Sequence, residues 1–112
     1  MDFDKIVRDK VPDICRAHGK AVRFEVVGEY QALRYLAKKV SEEAGELEAA
    51  IIDGGEDHII EEMGDVIECI FSMAQKLSIH QDRIGFVRAN KAAKNGAFDE
   101  NIILKFVSGE KF

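Results

Sequence analysis

Apolar residues recur at intervals of three and four through two long stretches of this 112-residue chain. The first stretch runs from near Tyr30 to Ile52, and the second runs from about Asp57 to Leu77. This spacing gathers apolar side chains on one face of an α-helix and therefore predicts two long helices. The intervening Asp53-Gly54-Gly55 is typical of a tight turn. We expect an antiparallel helical hairpin.

The second of these helices is apolar over more than one stripe. One stripe comprises Ile59, Met63, Val66, Ile70, Met73 and Leu77, and Ile60, Ile67, Phe71 and Ala74 widen it. A helix that is apolar over so much of its circumference needs cover on two sides. We expect a third helix, from about His80 to Asn95, to supply part of that cover and a second copy of the chain to supply the rest.

Shorter segments flank the three long helices. Pro12 suits a first helical position and predicts a short helix that ends at His18. Alternation of apolar and polar residues over 21–27, and the apolar run over 101–107, predict two strands. We therefore expect a single domain over residues 1–112 that is mainly α, a helical-hairpin-based bundle with a small two-stranded β element.

The composition narrows the class of protein. The chain is 46% hydrophobic and 33% charged, which is ordinary for a globular domain. Its net charge of -5 argues against a nucleic acid polymer as partner. No apolar run approaches the ~20 residues of a membrane span, and the acidic start lacks a signal-peptide core. We expect a cytoplasmic protein without a membrane partner, in which Cys15 and Cys69 are reduced core residues.

Two acidic pairs stand in mirror-image positions about the predicted turn. Glu43 and Glu46 precede Gly54 by eleven and eight residues, and Glu62 and Asp65 follow it by eight and eleven. A spacing of i, i+3 puts each pair on one face of its helix. Equal distance from the turn gives equal height on the two helices. The sequence therefore predicts that four carboxylates converge between them.

Carboxylates at this density raise one another's pKa values unless a cation neutralises them. An all-oxygen site favours Mg²⁺, with Mn²⁺ as the alternative ion, over zinc or copper. No acidic residue stands three positions before His18, His58 or His80, so the Glu-x-x-His pattern of iron sites is absent. We interpret the histidines as surface or satisfied core residues. Glu42 is a candidate auxiliary ligand or supporting residue, and a solvated acidic face is the alternative reading of the whole cluster.

A magnesium site in a small domain points to phosphoanhydride chemistry, because Mg²⁺ commonly binds through carboxylates, waters and substrate phosphates. That chemistry needs cationic side chains for the remaining phosphate charge. The candidates for phosphate contact are Arg8, Lys10, Lys39, Arg88, Lys91 and Lys94. The last three form a stripe on the third predicted helix, and each candidate has the alternative reading of a solvated surface charge.

Two glycines interrupt the long helices beside the acidic residues. Gly45 precedes Glu46, and Gly64 precedes Asp65. Each costs roughly 1 kcal/mol of helix propensity relative to alanine. Close approach of the two helices beside the acidic cluster is the explanation we expect.

Two motifs resemble those of a known enzyme superfamily. Lys39-x-x-Glu42-Glu43-x-x-Glu46-Leu47, followed by Glu61-Glu62-x-Gly64-Asp65, resembles the all-α nucleotide pyrophosphohydrolases of the MazG and phosphoribosyl-ATP pyrophosphohydrolase superfamily. The opening Ile6-Val7-Arg8-Asp9-Lys10-Val11-Pro12 is similar to the start of a small MazG-like branch. The resemblance implies hydrolysis of a nucleoside triphosphate to a monophosphate and pyrophosphate by a homodimer or homotetramer. It also implies Mg²⁺ ligands, which fall here on Glu43, Glu46, Glu62 and Asp65.

Within this expectation, Glu43 or Glu46 positions the attacking water or takes its proton. The segment from Lys39 to Leu47 is also similar to the phosphoribosyl-ATP pyrophosphohydrolase of histidine biosynthesis. That enzyme ranks second because it lacks the Val-Arg-Asp-Lys opening. A hypothesis of another class is a non-enzymatic helical adaptor with a structural cation. Base and sugar preference depend on pocket shape and stay open.

Overall fold

Four helices make up the regular structure of residues 4–109, the part of the chain described by a computed structural model. They are α1 (Val11–Ala17), α2 (Glu29–Asp53), α3 (Glu56–Lys76) and α4 (Gln81–Asn95). Their order and bounds follow the apolar periodicity closely. The prediction of a mainly α fold is confirmed.

A two-glycine turn joins α2 to α3. Gly54 ends α2 with φ of 81°, a left-handed conformation that a side chain disfavours, and its N–H donates to the Ala50 carbonyl at 2.9 Å. Gly55 then stands in an extended conformation as the residue before α3. The chain therefore reverses direction within two residues, as the sequence predicts, and α2 packs along α3.

Small residues dominate the contact between α2 and α3. The buried apolar residues of the described chain are Ala32, Leu36, Ala50, Cys69 and Ala74. Short side chains let two helices approach closely, but they bury little apolar area. No large side chain among residues 4–109 is fully buried. Cys69 lies in this seam, Cys15 is half-buried, and both are free thiols.

The segment before α1, whose secondary structure the sequence pattern leaves open, lies against the hairpin. The Tyr35 hydroxyl of α2 donates to Asp4 Oδ1 at 2.6 Å. Arg8 Nη2 donates to Asp65 Oδ1 of α3 at 2.8 Å. Pro12 lies in the first turn of α1, as predicted. These contacts tie the N-terminal segment to both helices.

The two predicted strands are wrong. Residues 21–27 and 101–107 have no regular secondary structure, and no strand occurs anywhere in residues 4–109. A strand needs a hydrogen-bonded partner strand, and two short strands alone are only marginally stable. Of the apolar positions expected to face inward, Val22 is half-buried whereas Phe24 and Val26 are exposed. Alternation alone therefore did not make a sheet.

The chain divides after His80 into two compact units. In the described part of the second unit, residues 81–109, Ile84 is half-buried and every other residue is exposed. Gly96 follows α4 with φ of 86°, and its N–H donates to the Ala92 carbonyl at 2.8 Å. The single domain over residues 1–112 stays a prediction.

Gly45 and Gly64 have no close neighbours. A Cβ built on either glycine would meet nothing within 4 Å among the described residues. The expectation that these glycines permit close approach of α2 and α3 is therefore wrong. The helices meet instead along the line of alanines and Cys69.

Part of α3 carries its apolar side chains outward. Ile60, Met63, Ile67 and Ile70 are exposed, and Ile67 shows 49% of its surface. The wide apolar surface that the sequence predicts for this helix is therefore present on α3. Its cover by a second copy stays a prediction.

Candidate active site

The seam between α2 and α3 carries two glutamates among its apolar residues. Glu43 is 6% exposed and Glu62 is 7% exposed, although acidic side chains normally stay in water. On α2, Glu43 lies midway between the buried Leu36 and Ala50, and every seventh residue of a helix lies on nearly the same face. On α3, Glu62 stands in the same relation to the buried Cys69. Helical periodicity therefore turns both carboxylates into the seam.

The acidic side chains form two overlapping groups. Glu43, Glu62 and Asp65 each offer a carboxylate oxygen within 4.8 Å of the other two. Glu42, Glu43 and Glu46 meet the same distance limit. Glu43 belongs to both groups and joins them into one acidic cluster. Of the four predicted ligands, Glu43, Glu62 and Asp65 converge between the two helices, whereas Glu46 is exposed and is grouped with Glu42 and Glu43 of its own helix.

Two oxygens of the acidic cluster are buried without a partner. Glu43 Oε2 and Glu62 Oε2 accept no hydrogen bond from residues 4–109. A buried polar group left unsatisfied costs roughly 1–3 kcal/mol, and an ionised one costs more. A bound cation would supply the missing interaction for both atoms. The donor set, which consists only of carboxylate oxygens, fits a hard divalent ion.

The electrostatics of Glu43 reflect this position. Burial raises the pKa of its carboxyl above the ordinary value, and the adjacent Glu46 carboxyl adds to the rise. The positive charge of Lys39 acts in the opposite direction and lowers the same pKa. Burial also raises the pKa of the Cys69 thiol, with a further contribution from the charge of Glu43. Without a cation, the Glu43 carboxyl therefore resists ionisation.

Lys39 lies against the acidic cluster, one turn before Glu43. Its Nζ is 3.6 Å from Glu42 Oε1 and 3.6 Å from Glu43 Oε1. The ammonium group therefore already has two carboxylate partners. Its predicted phosphate contact is untested by this geometry.

The N-terminal segment adds cations to the edge of the cluster. Arg8 pairs with Asp65 as described above, and Lys5 Nζ lies 3.9 Å from Glu42 Oε1. Lys10 is exposed at the start of α1. Sequence reasoning singled out Arg8 and Lys10 but missed Lys5, since no helical or strand pattern fixed where this segment would lie.

His58 lies beside the acidic cluster, which the sequence analysis did not anticipate. Its Nε2 lies 3.2 Å from Glu62 Oε1, and the two residues are four positions apart on α3. The interpretation of His58 as a surface or satisfied core residue overlooked this pairing. The i, i+4 spacing was available in the sequence as a signal, because such residues share one helix face. His18 does fit that interpretation, since its Nδ1 lies 2.8 Å from the Ile14 carbonyl oxygen.

The basic stripe of α4 belongs to the second unit. Arg88, Lys91 and Lys94 are all exposed there. None of them forms an ion pair with another residue in the range 81–109. Their role in phosphate binding stays a prediction.

Comparison with known families agrees with the geometry of the acidic cluster. A family model described as the MazG nucleotide pyrophosphohydrolase domain matches residues 31–99. The match covers more than half of the chain and includes both acidic groups. The chain belongs to this MazG family. It is a hydrolase that acts on nucleotide phosphoanhydride bonds, and the resemblance seen in the sequence is confirmed.

MazG enzymes typically depend on divalent cations, which agrees with an all-carboxylate cluster. The matched range excludes the segment that carries Arg8. A search of curated proteins gives no significant match. A search of solved structures gives none either. Among the described residues, no helix combines the length and apolar character that a membrane crossing requires.

Proposed function

We propose that the chain hydrolyses a nucleoside triphosphate to a nucleoside monophosphate and pyrophosphate, with Mg²⁺ as the required ion. The supporting observation is the pair of buried, unpartnered oxygens on Glu43 and Glu62 beside Asp65. A family of phosphoanhydride hydrolases supplies the reaction class. A divalent metal is favoured because partly buried carboxylate oxygens with a net negative charge are the ligands that hard cations bind.

Glu43, Glu62 and Asp65 would hold the ion, and Glu46 and Glu42 would extend the ligand set on the α2 side. When bound, Mg²⁺ neutralises charge on the phosphates and lowers the pKa of a coordinated water. Mn²⁺ is the alternative ion, since it accepts the same oxygen ligands. The buried pair suits ion binding better than proton transfer, because both carboxylates lie inside the seam.

Glu46 is the better general base of the two that the sequence left open. It is exposed, whereas Glu43 is buried and shared by both acidic groups. An exposed carboxylate at the edge of the cluster can reach a water on the substrate side and accept its proton. The water oxygen then bonds to phosphorus as the bridging phosphoanhydride oxygen departs with pyrophosphate or with the monophosphate.

The remaining phosphate charge calls for cations outside the ion's own ligands. Arg8 is the strongest candidate, because its largely exposed guanidinium already stands at Asp65. A planar guanidinium can bind two phosphate oxygens at once. Lys10 and Lys39 are further candidates in the same unit, and Arg88, Lys91 and Lys94 are candidates from α4.

The test is pyrophosphate release from a panel of standard and modified nucleotides with and without Mg²⁺. Glu46→Gln and Asp65→Asn are each expected to lower turnover by at least ~100-fold, since each removes a proton acceptor or a charge-stabilising ligand. Glu48→Gln, an exposed carboxylate on α2 outside both acidic groups, is the matched control and is expected to keep wild-type turnover. Wild-type turnover in both site variants would overturn the proposal.

The panel should include phosphoribosyl-ATP. Preference for that compound over nucleoside triphosphates would assign the chain to the histidine-pathway reaction instead. The adaptor hypothesis predicts ion-dependent melting without any pyrophosphate release. Membership of a hydrolase family argues against it.

A homodimer or homotetramer is part of the proposal. The outward apolar side chains of α3, among them Ile60 and Ile67, support it. Light scattering should give a multiple of the chain mass, and the Ile60→Glu, Ile67→Glu double variant should shift that mass toward a single chain. A monomeric wild-type protein would remove the oligomer from the proposal. Cytoplasmic location is likewise an expectation from the sequence.

A further inference from the structure

Each of the two buried glutamates has a basic partner four residues earlier on its own helix. Four residues before Glu43, Lys39 Nζ lies 3.6 Å from its Oε1 atom. Four residues before Glu62, His58 Nε2 lies 3.2 Å from its Oε1 atom. In both glutamates the other oxygen, Oε2, is buried and unpartnered among the described residues. In each carboxylate, Oε1 therefore contacts a basic side chain, and Oε2 is left to bind an ion.

The chemistry of a metal ligand sets the direction of the hydrogen bond between His58 and Glu62. A carboxylate that binds a cation is ionised and only accepts hydrogen bonds, so in the ion-binding form His58 Nε2 carries the hydrogen and donates it. A carboxylate held at one oxygen cannot rotate freely about its terminal bond. Its second oxygen is then presented in one direction before any ion arrives, which lowers the ordering cost of binding.

We infer that His58 is a positioning residue for metal binding: it holds Glu62 Oε1 so that Glu62 Oε2 faces the ion site. This inference rests on the proposed metal-dependent function and assigns a role to a residue outside the acidic motif. Lys39 is the counterpart on α2, where it holds Glu43. The difference is exposure, because His58 is 54% exposed at its side chain and can be replaced without opening the seam.

The experiment is calorimetric titration of ion-free protein with Mn²⁺, which reads binding without substrate. Loss of such an outer partner of a metal ligand typically weakens metal binding by roughly 10- to 100-fold, and we expect this for His58→Leu. His58→Gln retains an N–H donor at nearly the same reach and is expected to bind within about threefold of wild type. In turnover assays, His58→Leu should need more Mg²⁺ for half-maximal rate yet approach wild-type turnover at saturating Mg²⁺.

The control is His18→Leu, which removes a histidine that contacts only its own helix carbonyl in the described hydrogen bonds. It is expected to leave Mn²⁺ affinity unchanged. His58→Phe serves as a second donor-free variant, compared with His58→Gln, in case the leucine variant fails to fold by circular dichroism.

The outcomes separate the two proposals. If wild-type protein binds no Mn²⁺ and Mg²⁺ has no effect on pyrophosphate release, the proposed metal-dependent function fails. If wild type binds Mn²⁺ and both His58→Leu and His58→Phe bind it equally well, the positioning role of His58 is overturned. Equal weakening in His58→Gln and the donor-free variants would also overturn it, because the donor would then not be the cause.

Discussion

Charged side chains recur at the same helical spacing in the α2–α3 hairpin and in the second unit, but their burial differs. Glu43 and Glu46 are three residues apart on α2, as are Arg88 and Lys91 on α4. In the hairpin, Glu43 of this pair is buried in the seam and shielded from solvent. On α4 the same spacing yields an exposed basic stripe. Periodicity selects a helix face, but burial of that face decides whether a charge is removed from water.

Apolar residues show the same contrast. In the hairpin, Leu36 and Ala50 are buried on either side of Glu43. In the second unit, Phe98 is 97% exposed, and Ile102 and Phe106 are also exposed. The difference teaches that a desolvated site needs apolar neighbours packed around it. We therefore expect the largest functional effects in the seam and smaller ones on α4.

The sharpest test of this contrast uses two neighbouring glutamates on α3. Glu62→Gln removes a buried charge from the cluster and is expected to lower turnover by at least ~100-fold. Glu61→Gln, an exposed neighbour outside both acidic groups, is expected to stay within about twofold of wild type. Steady-state kinetics at saturating Mg²⁺ make the comparison. Equal losses of turnover in both variants would contradict the idea that burial makes Glu62 more important for activity than Glu61.

Arginines in the two units provide the second comparison. Arg8→Ala removes a cation already bound to Asp65 and is expected to raise the nucleotide KM by roughly tenfold, the size of a lost charge-assisted hydrogen bond. Arg88→Ala removes an exposed charge of α4 and is expected to raise KM by no more than about fivefold. The measurement is the nucleotide KM of each variant at a fixed Mg²⁺ concentration. A larger effect for Arg88→Ala would shift phosphate binding toward α4.

The third prediction concerns stability without metal. Glu43→Gln removes an ionised group whose burial is unfavourable, so in a chelator we expect about 1 kcal/mol of added stability, or roughly 4–8 °C in Tm. Thermal melting with excess chelator is the measurement. Glu48→Gln, exposed on the same helix, is expected to leave Tm nearly unchanged. A lower Tm for Glu43→Gln than for wild type would contradict the prediction.

The pH dependence of that gain follows from the raised pKa of Glu43. Well below the ordinary carboxyl pKa, the group is protonated in both folded and unfolded states, and its ionisation costs the fold nothing. The destabilisation grows as pH rises above the ordinary carboxyl pKa, because the unfolded chain ionises there while the buried group does not, and it is complete once pH passes the raised folded-state pKa. The advantage of Glu43→Gln should therefore be small at about pH 4 and larger at about pH 8.

The smallest expected effect compares glycines inside helices. Gly45 on α2 and Gly85 on α4 both have open space where a Cβ would stand. Alanine at either position should raise helix stability by roughly 0.5–1 kcal/mol, since propensity is local and independent of burial. Urea unfolding curves check this. Loss of stability in Gly45→Ala would indicate a close contact in the assembled protein.

Much of the fold could be read from the sequence because helix formation is local. The Gly54-Gly55 turn, the start of α1 near Pro12 and the length of α3 all follow from residues a few positions apart. The strands over 21–27 and 101–107 could not be judged this way, since a strand depends on a partner distant in the chain. The ion pair between Lys5 and Glu42 could not be predicted for the same reason.

The sequence alone determined the helical hairpin, the shared helix face of each acidic pair and membership of a pyrophosphohydrolase family. Only the tertiary structure decided that Glu43 and Glu62 are buried while Glu42 and Glu61 stay exposed to solvent. It also decided that Arg8 reaches Asp65. The physical reason is that helical periodicity acts over a few residues, whereas desolvation and ion pairing arise from packing between segments far apart in the chain.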